Sequence, residues 1–134
     1  MKQLVTGILL AAMVGCLGGR LYFDKPTRYD IKLSMLKMKK HYELIQQWLD
    51  GGHPEQDLTD SVNQLQVEAA FLLERLPDRN PVIWQETIRE MQQTLNFMED
   101  SLADEQRDRV AYHFRNLRGT CTDCHVRYRI GFNF

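Results

Sequence analysis

What most constrains the fold is the placement of apolar residues at spacings of three and four along four successive stretches, with prolines only at the joints before and between them. From Arg28 to Leu49, Ile31, Met35, Met38, Tyr42, Ile45 and Leu49 form one stripe, and Gly51-Gly52-His53-Pro54 ends it. A second helix is predicted from Leu58 to Leu76 through Val62, Leu65, Ala69, Leu72, Leu73 and Leu76, with Asp57 or Thr59 as its cap. Residues 77–81 make the next turn, and Asn80 followed by Pro81 signals a third helix. Its stripe is Ile83 or Trp84, Ile88, Met91, Leu95 and Met98, with Met91 and Met98 on a bundle seam. Ser101 is expected to close that helix and cap the last one, which runs from about Leu102 to Ile130 through Val110, Phe114, Leu117 and Cys121. Strand-like alternation is absent. Connections this short force neighbouring helices antiparallel, so the sequence predicts an all-α, up-down-up-down four-helix bundle. The 134 residues suffice for one such core and not for two.

The last of these helices carries Cys121-Thr122-Asp123-Cys124-His125, the C-x-x-C-H pattern to which haem is covalently attached. The chemistry needs each element: two thiols spaced to meet the two vinyl groups of one haem, and an imidazole one residue later as an axial ligand of the iron. A zinc site would want a second ligand pair, and a redox dithiol would want a βαβ setting. The sequence offers neither. The expectation is a c-type cytochrome with one haem c.

A formal net charge of −1 argues against a general nucleic-acid binder, and no phosphate-cradling glycine loop is present. The basic residues are unevenly placed: Arg107, Arg109, Arg115, Arg118, Arg127 and Arg129 crowd the final quarter. They read either as a solvated helix face or as partners for haem propionates or an acidic protein.

Leu4 to Gly19 contains no charged residue after the single Lys2, which marks an export segment or an anchor. Extended through Arg20 to Phe23 it reaches about 30 Å as a helix, enough to cross a bilayer if Arg20 snorkels. No clean cleavage site follows, which favours a retained anchor over residues 4–23. Met13-Val14-Gly15-Cys16 also resembles a lipobox, with Cys16 as the lipidated residue, and a cleaved soluble form is the remaining alternative. Each places the domain outside the cytoplasm, on the periplasmic side of a bacterial inner membrane. Residues 1–26 are thus expected to be the targeting segment and a short polar joint, Asp24 to Thr27, and residues 27–134 the haem-binding bundle.

A haem motif on the fourth helix of a bundle resembles the class II cytochromes c, the cytochrome c′ family. The resemblance covers roughly residues 27–134 and is most specific over Gly119 to Arg129, where Tyr128 and Arg129 stand at the family's aromatic and basic positions. It implies thioether links at Cys121 and Cys124, His125 as the fifth iron ligand and Arg129 as a propionate partner. The segment Ser34 to Tyr42 looks like the family's first helix, which places Met35 facing the open side of the iron, with Met38 one turn away as the fallback. Met38 and Tyr42 otherwise fall at apolar core positions. The family's basic residue before the distal side chain is only approximated by Arg28 and Lys32. A methionine sixth ligand would place the chain with the low-spin, electron-transferring branch. Homodimers through the first two helices are common in that family.

Other candidates read as structure. His41 lies six residues past Met35, about 240° around the helix, and cannot face the same iron. His53 and His113 read as surface or packing residues, and Trp48 and Trp84 as core or anchor-side packing.

Three functions remain in competition. One is a membrane-tethered electron carrier, not an enzyme, exchanging single electrons with a redox partner protein or membrane redox complex. The second is a five-coordinate, cytochrome c′-like protein that binds nitric oxide or carbon monoxide, with Met35 as a steric gate. The third is a haem-containing structural subunit of a membrane complex.

Overall fold

The computed structural model describes residues 23–53 and 57–128. These form four helices and, among the described residues, no strand: α1 Lys25–Leu49, α2 Leu58–Leu73, α3 Pro81–Ala103 and α4 Arg107–Tyr128. Consecutive helices pack closely backbone to backbone, whereas α1 and α4 approach mainly through side chains. Among the described residues no helix is long and apolar enough to cross a membrane. The expected anchor over 4–23 lies, apart from Phe23, outside the described residues, as do Cys16 and Arg129.

Local chemistry explains where each helix begins and ends. α1 starts three residues before its expected boundary, because Asp24 is its N-cap, accepting from the Thr27 N–H at 3.0 Å, with Pro26 in the first turn. The segment read as a polar joint is therefore helix. Phe23, expected to close the apolar segment, is buried in the core of the bundle. α1 ends in a Schellman motif: the Gly51 and Gly52 N–H groups donate to Trp48 O and Gln47 O, with Gly51 at φ 92°. A Cβ on Gly52 would sit 2.9 Å from Gln47 O, so glycine is required there by space as well.

α2 is capped by Asp57, which accepts from Thr59 N–H at 2.8 Å, and stops at Leu73 rather than Leu76. Leu76 lies beyond the helix and is exposed, contrary to its place in the predicted stripe. α3 begins at Pro81 as expected, although Asn80 adopts φ 54° and makes no side-chain cap. Its carbonyl accepts instead from the Trp84 N–H at 3.1 Å and the Tyr128 hydroxyl at 2.9 Å. Ser101 does not close α3. It is buried within the helix, its hydroxyl donating to Phe97 O at 2.7 Å, and α3 continues to Ala103. The following turn is a second Schellman motif, with Gln106 N–H donating to Ser101 O and Glu105 at φ 55° in the position Gly51 occupies after α1.

The stripes converge on one core: Ile31, Ile45, Val62, Leu65, Leu72, Trp84, Ile88, Leu95, Met98, Val110 and Leu117 are almost wholly buried. At one end of the molecule Phe23, Trp84 and Tyr128 form an aromatic cluster, with ring centroids 5.0 Å apart for Trp84–Tyr128 and 5.2 Å for Phe23–Trp84, both edge to face. The Trp84 indole N–H donates to Leu72 O at 2.9 Å, and Arg75 meets Asp30 at 3.6 Å. These contacts gather the start of α1, the end of α2, the start of α3 and the end of α4. At the opposite end the Arg107 guanidinium lies over the Trp48 ring and donates to the carbonyls of Trp48 and Leu49.

Candidate functional site

Cys121, Cys124 and His125 occupy the last two turns of α4, where spacings of three and four place all three on one helical face. That face turns inward. The three residues line a narrow crevice together with Met35, Met38 and Tyr42 of α1, Leu65 of α2, Met91 of α3 and Leu117 of α4. Met35 and Met38 therefore lie in the same crevice as the cysteine pair and His125, whereas His41 does not. His41 faces α2, its Nδ1 3.4 Å from the Ser61 hydroxyl, which fits the 240° offset read from the sequence. His53 is exposed, and His113 stacks on Phe97 with ring centroids 5.4 Å apart.

The crevice lies where α1 and α4 meet through side chains rather than backbones, at the level where Tyr42 packs on Phe114 with centroids 4.5 Å apart. Its described lining carries no carboxylate. Its donors are two thiols, three thioethers, one imidazole and one phenol. Burial pushes the Cys121 thiol up to about 12 and the Cys124 thiol up to about 12, the latter raised further by Cys121 and opposed by Arg127. At neutral pH both sulfurs are protonated, the opposite of the lowered thiol of a reactive redox cysteine. Burial likewise raises the Tyr42 hydroxyl, against the pull of Arg118. Among the described residues no group of three or more His, Cys, Asp and Glu is placed to hold a metal ion by itself.

Met91, Tyr42, Leu65 and Leu117 complete the lining without having been singled out for it. Met91 read as a seam residue, and a seam residue and a crevice residue leave the same mark in a 3.6-residue pattern. Of the crowded arginines, Arg118 and Arg127 are near enough to act electrostatically on Tyr42 and Cys124. Arg107 instead serves the far end of the bundle, Arg109 bonds Gln106 at 2.9 Å, and Arg115 and Arg127 border an open groove of about 660 Å³ between α3 and α4. Compared with protein-family models, with curated proteins and with solved structures, the chain matches none.

Proposed function

We propose that this chain is a membrane-anchored c-type cytochrome of the class II kind, a single-electron carrier rather than an enzyme, on the periplasmic side of the inner membrane. The observation that carries this reading is that Cys121, Cys124 and His125 line one apolar crevice with Met35 and Met38. In this reading the helices form an antiparallel up-down-up-down bundle, a topology supported by the contacts at its two ends.

The residues fit the group. Cys121 and Cys124 would hold haem c through thioether bonds; a thioether has no proton to lose, so its burial carries none of the penalty that raises the free thiols. His125 would be the fifth ligand and Met35 the sixth, with Met38 one turn away as the alternative. When bound, haem iron supplies a one-electron couple whose potential a thioether ligand raises. Three unbranched methionines line the crevice and repack readily, and α1 and α4 have little close backbone contact to break, so room for a flat macrocycle would have to come from side-chain movement. Leu65, Leu117 and the methionine stems exclude water from it. Arg118 and Arg127 offer positive charge beside the crevice, where Arg129 was expected to. The mainly apolar lining also suits a diatomic gas if the sixth position stays open.

The test is mass spectrometry of the denatured protein made in a host that matures c-type cytochromes. One haem mass added, and lost in Cys121→Ala/Cys124→Ala, is the expected result. An unmodified polypeptide sinks the proposal.

A further inference from the structure

We infer that the bundle rests on an anionic phospholipid surface with its Phe23 end inward, the end at which the chain enters the core. This inference depends on the anchoring part of the proposed function and does not depend on haem. Phe23, buried against Trp84 and Tyr128, pins the point of entry, and the uncharged run from Leu4 to Gly19 ends only four residues earlier. A lipid-seated run so close in sequence leaves the domain little slack, so the end carrying Phe23 is the end that can meet the bilayer.

The surface chemistry of that end suits the role. Tyr29, Val82 and Val126 are 67%, 63% and 75% exposed, from three different helices, and Leu33 and Leu76 are exposed as well. Exposed apolar and tyrosyl side chains are costly in water and favourable at a headgroup boundary. Basic residues accompany them: Lys25, Arg28, Lys32, Arg75, Arg79 and Arg127, against Asp24, Asp30, Glu74, Asp78 and Asp123 over residues 23–34, 72–84 and 121–128. Their long stems can lie along the apolar boundary with the charges at phosphate level.

The opposite end is strongly acidic. Asp50, Asp57, Asp60, Glu99, Asp100, Asp104, Glu105 and Asp108 face only Arg107 and Arg109 over residues 46–50, 57–61 and 97–110. The Phe23 end, six basic against five acidic residues over its ranges, is close to neutral, so an anionic surface turns the molecule chiefly by repelling the acidic end, in the same sense as the tether.

The full chain, reconstituted in vesicles of phosphatidylethanolamine and phosphatidylglycerol, tests this with the photocrosslinking residue p-benzoylphenylalanine placed at Val82, Val126 or, toward the acidic end, Tyr112. The expected result is vesicle flotation for all three, with lipid adducts several-fold more abundant from Val82 and Val126 than from Tyr112. Flotation with equal adducts from the three positions, or with none, overturns the inference while leaving anchoring intact. A full chain that fails to float overturns both, and neither readout requires haem.

Discussion

Trp84→Phe is the most informative single change in the aromatic end of the bundle. Trp84 is fully buried, its rings meet Phe23 and Tyr128 edge to face, and its indole N–H donates to Leu72 O. Phenylalanine keeps an aromatic face and removes the donor. The Leu72 carbonyl still accepts from Arg75 N–H at 3.1 Å, so the change leaves no orphaned acceptor and the lost hydrogen bond costs about 1 kcal/mol. Phenylalanine is smaller by about 40 Å³, and at about 24 cal/mol per Å³ of unfilled cavity that adds about 1 kcal/mol. The expected loss is about 2 kcal/mol, which in a domain of this size lowers Tm by about 7–9 °C. Trp84→Ala, which also removes both ring contacts, should cost about 3–5 kcal/mol. Urea unfolding followed by far-ultraviolet circular dichroism measures both, and the midpoint should move with an unchanged slope. A Trp84→Phe protein within about 0.5 kcal/mol of the parent, the range of ordinary surface changes, would refute the placement of Trp84 at the centre of this cluster.

Other expectations are equally specific. Glu105 occupies a left-handed position that Gly51 fills after α1, so Glu105→Gly should stabilise the protein by about 1 kcal/mol in the same urea assay, whereas Gly51→Ala should destabilise it. The His41 imidazole is held below its ordinary 6.5, by burial first and Lys40 second, against Asp60 and Glu68. The unfolded chain therefore binds the proton more readily, and this contribution to stability, complete above pH 6.5, is lost as pH falls through the lower folded value. His41→Gln should flatten the stability profile below about pH 6.5. Lys37 lies 3.3 Å from the nearly buried Glu68 carboxylate, and Lys37→Met should cost about 1 kcal/mol at low salt, and less at high salt. In the haem-loaded protein, Met35→Ala should produce a high-spin ferrous spectrum, and Met38→Ala should leave it low-spin.

The number and type of the helices were legible because each stripe repeats over four or more turns, long enough for periodicity to outweigh local chemistry. Boundaries were less so. They depend on individual caps, such as Asp24, which turned an expected joint into helix, and Ser101, whose hydroxyl bonds back to Phe97 O inside α3 instead of capping the next helix. For the site, the motif predicts that Cys121, Cys124 and His125 share a face, and the helix spacing delivers that. Met35 and Met38 came from a resemblance in α1, and the structure places both in the same crevice as the motif. Met91 and Tyr42 were not legible as crevice residues, because their facing that space depends on how helices distant in sequence pack together. Phe23 belonged by composition to the apolar segment, and only the Trp84 and Tyr128 rings assign it to the bundle.

Whether this crevice holds a covalent haem ligated by His125 and Met35 is read from the absorption spectrum of the matured ferrous protein before and after carbon monoxide. Ligation by both residues gives a sharp low-spin spectrum that carbon monoxide leaves unchanged. A broad high-spin spectrum that shifts on adding the gas would contradict Met35 ligation and favour a gas-binding protein, and a spectrum without haem would contradict the whole assignment.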